Sequence, residues 1–183
     1  ANGSATGITW LPRAAEERAF DRDTQNRRKQ EAFLKAGTRC FNQKGFSGTS
    51  LDEIAEQLQV SKGAFYYHFA NKEALLTQCF DYTLDQLEGI VAGVERLDVT
   101  PGSKLDIACR QIFALQNSAQ GPLVHFNAIT ALPPAVRQRL LARLAAVHAT
   151  LEKAVTDAIA CGEFRDLPAG IVIQLLTGAL NAA

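Results

Sequence analysis

Residues 61–67 combine hydroxyl, basic and aromatic side chains within about two turns of a possible helix. Ser61 is typical of a helix N-cap and, at the N-terminal end of the helix, is also predicted to bind DNA. Lys62 can donate hydrogen bonds to guanine or to phosphate, and Gly63 lets a partner approach the backbone closely. Tyr66, one turn further on, can contact a thymine methyl group or donate to a phosphate oxygen. Because the DNA major groove admits one α-helix, whose N-terminal residues reach the base edges first, this segment predicts a DNA-contacting helix.

A second short helix is predicted just before this segment. Its apolar residues have the i, i+3, i+4, i+7 spacing of one buried face: Leu51, Ile54, Ala55 and Leu58. Ser50 and Glu53 match a capping box, and the turn Gln59-Val60-Ser61 limits the helix to about eight residues. Two short helices joined by a tight turn form a helix-turn-helix. The pattern predicts that the second of these helices buries one face and exposes the other; the buried residues are Ala64, Phe65 and Phe69, and the exposed ones are Lys62, Gly63, Tyr66 and Tyr67.

Helix-forming residues dominate the remaining chain, and alternating β-branched runs are absent. The fold class is therefore predicted as all-α, with an N-terminal three-helix helix-turn-helix domain followed by a larger helical domain. The other predicted helices are about Thr24–Lys44, ended by Gly45; Lys72 to about Arg96, capped by Asn71; Lys104–Ser118; a short helix between Gly121-Pro122 and Pro133-Pro134; Pro134 to about Cys161; and a last helix from Pro168.

Charge is unevenly distributed along a chain whose total is neutral, with 19 basic and 19 acidic residues. Residues 24–72 hold eight basic and four acidic side chains, a net +4, whereas residues 1–23 carry −1 and residues 73–183 carry −3. A basic module attached to an acidic body predicts an anionic partner for one part only. Arg27, Arg28 and Lys29 either contact DNA beside this module or form an ordinary solvated helix start.

Composition and cysteine spacing argue against several classes. Apolar residues at 47% and charged residues at 21% predict a buried core rather than a disordered chain. The four cysteines are widely separated, so buried structural thiols are favoured over a redox pair such as Cys109 with Cys161. No nucleophile, phosphate-binding or metal-ligand motif is present, which predicts no cofactor, no metal and no enzymatic activity. No membrane segment or signal peptide is evident, which predicts a cytoplasmic protein.

The helix-turn-helix segment resembles the DNA-binding domain of the TetR family of transcriptional regulators over about 50 residues. The resemblance is carried by Gly45-Phe46, Thr49-Ser50-Leu51-Asp52-Glu53-Ile54-Ala55, the run Val60 to Phe69, and Asn71-Lys72-Glu73-Ala74-Leu75-Leu76. It implies phosphate contacts by Thr49, Tyr67, His68 and Lys72, and base-edge contacts by Lys62, Gly63 and Tyr66, next to the cap Ser61. The alternative for His68 is packing at a helix end. Gln59 departs from the family, where the turn commonly carries glycine; a left-handed backbone there costs about 1 kcal/mol.

A small DNA-contacting module on a larger helical body suggests a sensor. One helix contacts only a few base pairs, so a two-fold homodimer on a palindromic operator is expected. The apolar stretch Ile171–Ala183 is predicted to form the helix–helix interface, and the helix that starts at Lys72 to connect the two parts. The segment around Gly162 and Pro168 is similar to the one before the dimerisation helices of many family members.

The body is rich in Ala, Leu, Val and Phe, which favours an apolar or aromatic effector. The polar candidates for orienting it are His125, Asn127 and His148; Arg110 would suggest an acidic ligand if it points inward. The apolar candidates are Phe80, Phe113 and Phe126, for which packing within the core is the alternative. The sequence thus predicts a repressor that a small molecule releases from its operator. The alternatives are a helical small-molecule carrier or enzyme without a role on DNA, and a protein-interaction module.

The predicted organisation is an N-terminal extension at residues 1–23, the DNA-binding domain at 24–71 and the ligand-binding and dimerisation domain at 72–183. The extension is expected to be a basic arm or an added helix. The alternative is the end of an upstream second module, because Ile8–Arg13 faintly resembles the end of a TetR-type ligand domain. The chain has no Met and stops within an apolar run, so methionines or terminal segments are expected to be missing.

Overall fold

Helices form all the regular structure in the described part of the chain, which confirms the all-α fold class. The computed structural model describes residues 13–118 and 123–182, with side chains described for 24–118 and 123–179. The helices are α1 (Arg13–Gly48), α2 (Leu51–Gln57), α3 (Lys62–His68), α4 (Lys72–Glu95), α5 (Pro101–Gln116), a short 3₁₀ helix (Phe126–Ala131), α6 (Pro134–Ala160) and α7 (Ala169–Ala182).

Helix α1 begins earlier than predicted, and Gly45 interrupts it where the helix was predicted to end. It begins at Arg13 rather than near Thr24, because residues 13–23 are mostly good helix formers although they lack a clear apolar face. At the other end, Gly45 has the predicted left-handed conformation (φ 69°), and a further helical turn follows it to Gly48. The suggested resemblance of Ile8–Arg13 to the end of an upstream module falls almost entirely outside the described residues.

Two of the three predicted N-caps form. The Ser61 hydroxyl accepts a hydrogen bond from the backbone N–H of Ala64 (3.2 Å) at the start of α3. The Asn71 side chain accepts one from Ala74 (2.8 Å) at the start of α4. The capping box predicted at α2 does not form: Ser50 makes no side-chain cap, and the Glu53 carboxylate binds the ammonium of Lys44 (2.8 Å) on α1 instead of turning back to the helix start.

Aromatic rings from α1 and α3 form the core of the N-terminal domain. Phe65 is fully buried between Phe33 and Phe69, with ring centroids 5.0 and 5.4 Å away. Phe33 and Phe69 are buried as well. Ala64 was predicted on the buried face of α3 but is exposed, because its position at the first turn projects past the edge of this core.

Helix α4 belongs to both parts of the molecule. Its first turns bury Leu75 and Leu76 in the N-terminal core, and the same core continues through Phe80 and Leu84 to Leu140 of α6. Two arginines of α6 attach to the middle of α4. Arg139 forms a bidentate pair with Asp81 (2.7 and 2.9 Å), and the guanidinium of Arg143 donates to Asp81, Asp85 and Glu88 at 2.6–2.9 Å. The hydrogen bond from Arg143 lowers the pKa of Glu88. Packing and ion pairs thus fix α4 against α6.

Three negative findings apply to the described residues. No helix there is long and apolar enough to cross a membrane. No group of His, Cys, Asp and Glu side chains is arranged to hold a metal ion. All four cysteines, Cys40, Cys79, Cys109 and Cys161, are free thiols, and burial raises the pKa of Cys79 to about 12.

Candidate DNA-binding surface and apolar cavity

Helix α3 presents one face to solvent, as the sequence predicts. Burial of Phe65 and Phe69 fixes its orientation, and on the opposite side Tyr66 and Tyr67 are 46% and 87% exposed. The Lys62 side chain is 67% exposed. Around Gly63 an added Cβ would meet no atom within 4 Å, so a partner can approach this backbone closely. The first turn of α3 is therefore accessible to a partner as large as a DNA duplex.

Asp52 of α2 lies on the same surface and contacts two of the predicted base-contacting residues. Its Oδ2 accepts from Lys62 Nζ (2.5 Å), and its Oδ1 accepts from the Tyr66 hydroxyl (3.3 Å). The hydrogen bond from Lys62 lowers the pKa of Asp52, and the same bond raises the pKa of Lys62. The sequence analysis missed Asp52 as a site residue, because its partners lie on another helix and no spacing within one helix indicates the contact.

The predicted phosphate-contacting residues differ in accessibility. Tyr67 is fully open to solvent, whereas His68 is half-buried with its ring edge-on to Phe33 at 5.2 Å, which supports the packing alternative for this residue. Thr49 is buried, and its hydroxyl donates to the carbonyl of Gly45 (2.8 Å). Lys72 Nζ donates to the carbonyl of Thr49 (3.0 Å), so it connects the start of α4 to the residue before the α2 cap.

The turn between α2 and α3 contains a residue with a left-handed backbone, and this residue is Gln59 rather than a glycine. Gln59 has a φ of 54°. A side chain in this left-handed region costs about 1 kcal/mol. The backbone N–H of Gln59 still donates to Glu56 (3.0 Å) and that of Val60 to Ala55 (3.0 Å), so the helix-turn-helix geometry is retained.

An apolar cavity lies within the helical body. Helices α4, α5, α6 and α7 line it together with Leu123, Val124 and Phe126, and about 60 Å³ is open to the centres of water molecules. Of the predicted ligand-contacting residues, Phe126 and His148 line this cavity. The His148 ring lies 3.2 Å from the hydroxyl of Thr177, and Gln116 adds a further polar group to the wall.

The structure does not bring the other predicted ligand residues to this cavity. Phe80 is buried in the core and packs on Phe126 with ring centroids 5.3 Å apart. Arg110 and Phe113 lie on the exposed side of α5, where Arg110 donates to Asp106 (2.7 Å) on the next turn and Phe113 is 52% exposed. The remaining two residues lie elsewhere: His125 precedes the 3₁₀ helix and Asn127 is exposed in a shallow groove beside the end of α1.

Side chains from three helices hold residues 123–125 against the cavity. The amide of Asn42, on α1, donates to the carbonyl of Leu123 and accepts from the N–H of His125, both at 2.9 Å. Thr83 of α4 accepts from the N–H of Val124 (3.1 Å). Gln116 of α5 accepts from the N–H of Leu123 (2.8 Å). One wall of the cavity is thereby bonded directly to the N-terminal domain.

We expect stability to fall in mild acid because of His148. Burial lowers its pKa below the usual 6.5, although Glu152 opposes this shift. Since the unfolded chain then binds the proton more readily, stability decreases as the pH falls below about 6.5. Urea unfolding at about pH 7.5 and 5.5 should show a smaller loss for His148→Gln than for the wild type. Equal losses in the two proteins would contradict the assignment of this effect to His148.

Comparison with known proteins shows sequence similarity in the N-terminal helices. The family model for bacterial regulatory proteins of the tetR family matches residues 33–79. The HTH-type transcriptional regulator YerO of Bacillus subtilis (strain 168) is 48% identical over 54 residues, which are 30% of this chain and 19% of YerO. IcaR, the negative transcriptional regulator of the biofilm operon icaADBC in Staphylococcus epidermidis, is 39% identical over 51 residues, which are 26% of this chain and 28% of IcaR. The chain thus matches less than a third of the length of these two relatives.

Similarity of fold extends over most of the chain. The crystal structure of apo AibR is 25% identical with a TM-score of 0.71 and covers 83% of each chain. The structure of AibR in complex with isovaleryl coenzyme A and operator DNA has the same TM-score and coverage at 24% identity. Residues 33–79 thus match the tetR family of bacterial regulatory proteins in sequence, and the fold of most of the chain is similar to that of AibR.

Proposed function

We propose that this protein is a transcriptional repressor that binds a palindromic operator through α3 and is released by a small apolar or aromatic molecule. The single observation that carries the proposal is the exposed first turn of α3, with Lys62 and Tyr66 directed to solvent on a tetR-family domain. The family match is supported by IcaR, a negative transcriptional regulator, and by AibR, solved with both operator DNA and isovaleryl coenzyme A.

The cavity supports an effector of largely apolar character. Its walls are mostly Leu, Ile, Val and Phe side chains, and the His148–Thr177 pair supplies a polar group that can orient a ligand. Its present volume of about 60 Å³ is far below the roughly 300 Å³ of pockets that hold drug-sized ligands. An effector of that size must therefore displace the walls, including residues 123–126.

Exposed apolar side chains on α7 support a homodimer. Helix α7 is composed mainly of apolar residues. Two of its large side chains, Leu175 and Ile171, are nevertheless 69% and 55% exposed. Burial against the same helix of a second copy would remove this surface from water and place two α3 helices on one duplex.

Two connections can carry a displacement of the cavity walls to the DNA-binding surface. Helix α4 lines the cavity with Thr83 and Leu87 and begins at Lys72, whose ammonium donates to the backbone carbonyl of Thr49 before α2. Asn42 joins the wall segment 123–125 to α1. Binding energy that favours the displaced walls would thus favour a different position of α3, and a coupling of about 1–3 kcal/mol is sufficient for useful control.

We expect Asn42→Ala to lower the free energy of unfolding by about 1–3 kcal/mol, because Leu123 and His125 each lose their partner for a backbone group. Urea unfolding measures this loss. Gln43→Ala is the matched control, since Gln43 is the exposed neighbour on the same helix and should change stability by less than about 0.5 kcal/mol. Equal effects of the two substitutions would contradict the role given to Asn42.

The experiment that tests the function is selection of binding sites from a pool of random duplexes at two salt concentrations, followed by sequencing. Enrichment of a palindrome, with an affinity that falls steeply with salt, is the expected result, because phosphate contacts release counterions. If neither salt concentration enriches a sequence, the chain is not a sequence-specific DNA-binding protein and the proposal fails. A carrier or a protein-interaction module would give that negative result.

A further inference from the structure

Asp52 places a negative charge on the surface that is proposed to face DNA. Both of its carboxylate oxygens are used: Oδ2 accepts from Lys62 (2.5 Å) and Oδ1 from Tyr66 (3.3 Å). The Asp52 side chain is itself 44% exposed, and that of Lys62 is 67% exposed. The three side chains therefore form one cluster in solvent, which connects α2 to the first two turns of α3.

A contribution to folding stability does not explain the presence of this cluster. Ion pairs between exposed side chains contribute little to folding, because water screens them and two side chains must be ordered. Its effect on DNA binding is larger. A carboxylate opposes the approach of phosphates, and its bond to Lys62 uses one of the three ammonium donors and offsets the positive charge that a phosphate would bind. Phosphates are present on every sequence, so both effects lower affinity for DNA in general.

The same cluster is compatible with base edges. The bond to Asp52 holds the ammonium of Lys62 and the hydroxyl of Tyr66 close together, beside a glycine that allows close approach. A Lys side chain can donate to guanine O6 and N7, and an Asp side chain can accept from cytosine N4. Hydrogen bonds to a matching base pair can therefore offset the free-energy cost that Asp52 imposes on DNA binding, whereas phosphate contacts alone cannot.

We propose that Asp52 is a specificity-determining residue, which positions Lys62 and Tyr66 for base contact and lowers the affinity of the protein for DNA of arbitrary sequence. The proposal rests on the proposed DNA-binding function.

Glu53 provides a matched control for charge. It is the next residue of the same helix, its carboxylate is also exposed, and it binds the ammonium of Lys44 at 2.8 Å. Lys44 lies on α1 rather than on α3. Asp52→Asn and Glu53→Gln therefore each remove one negative charge and free one lysine, but only the first frees a lysine of the helix proposed to contact bases.

The experiment compares the wild type, Asp52→Asn, Glu53→Gln and Asp52→Glu on two probes: a duplex of random sequence and the duplex selected by the wild type. We expect Asp52→Asn to bind the random duplex about three- to tenfold more tightly, with a log–log salt slope steeper by about 0.9, as one added phosphate contact requires. Sites selected by Asp52→Asn should be less restricted in sequence. Asp52→Glu, which keeps the charge, should bind the random duplex like the wild type.

Equal gains for Asp52→Asn and Glu53→Gln would overturn the proposal, because net charge alone would then explain them. An unchanged affinity of Asp52→Asn for the random duplex would overturn it as well, and so would a gain for Asp52→Glu as large as that for Asp52→Asn. Thermal unfolding of each variant confirms that it is folded. If the wild type selects no sequence, the proposed function fails instead, and the two failures are thereby distinguished.

Discussion

Tyr66→Ala is expected to reduce affinity for the selected operator by about 5- to 150-fold, the equivalent of one base-edge contact of about 1–3 kcal/mol. Lys62→Ala should have an effect at least as large, because the Asp52 carboxylate then faces DNA without its cationic partner. Titration of a fluorescent operator duplex measures both. Tyr66 and Lys62 are exposed, so neither substitution should change the fold.

The ring and the hydroxyl of Tyr66 can be separated. Tyr66→Phe keeps the ring that can contact a thymine methyl group but loses the hydroxyl that donates to Asp52. If the ring makes the base contact, Tyr66→Phe should retain most of the affinity that Tyr66→Ala loses. Thermal unfolding and size-exclusion chromatography serve as controls for folding and assembly. Unchanged operator affinity in both alanine variants would remove these residues from the DNA-binding surface.

Phe65→Ala should destabilise the N-terminal domain by about 3–5 kcal/mol, the usual cost of removing a buried aromatic ring. Phe65 is fully buried and its ring packs on those of Phe33 and Phe69. Its loss leaves a cavity at the point where α3 is held against α1. Urea unfolding followed by circular dichroism measures the change, and operator binding should fall with the folded fraction.

Tyr67→Ala is the control for this experiment on the same helix. Tyr67 is 87% exposed, so its substitution should change the free energy of unfolding by less than about 0.5 kcal/mol. A loss of DNA affinity without a loss of stability in Tyr67→Ala would agree with its predicted phosphate contact. Similar destabilisation by Phe65→Ala and Tyr67→Ala would show that the ring cluster does not hold α3 in place.

Local rules were sufficient for most helix starts. Ser61 and Asn71 cap α3 and α4 as predicted, because an N-cap depends on one side chain and a backbone group three residues away. Gly45 has the predicted positive φ for a similarly local reason. The exposed face of α3 was predictable from helical periodicity, with Ala64 as the exception at its edge.

Contacts between helices account for what the sequence did not predict. The capping box at Ser50 does not form, and Glu53 instead binds Lys44, which is close only in the folded molecule. Asp52 and Asn42 were not recognised as site residues for the same reason. Asp52 meets Lys62 ten positions further along the chain, and Asn42 meets a segment more than 80 residues away.

The body was predictable as helical but its cavity was not. Residue type alone suggested seven ligand-contacting residues, of which Phe126 and His148 line the cavity. Phe113 and Arg110 belong to α5, which packs on both α4 and α6, and the spacing of apolar residues did not distinguish its exposed side from the lined side. Which side of α5 lines the cavity depends on the rotation of this helix about its axis. Contacts with the whole helical bundle set that rotation.

The attachment of α4 to α6 at Asp81, Asp85 and Glu88 has a consequence for geometry. It leaves the stretch from Lys72 to Asp81 as an arm of about 14 Å, at 1.5 Å of rise per residue. A tilt of about 15° about that attachment moves the Lys72 end by about 3.5 Å. This displacement is close to the spacing of about 3.4 Å between successive base pairs. In the proposed homodimer, a rotation too small to disturb the helix itself would therefore be enough to displace each α3 by about one base-pair step and put the two α3 helices out of register with their half-sites.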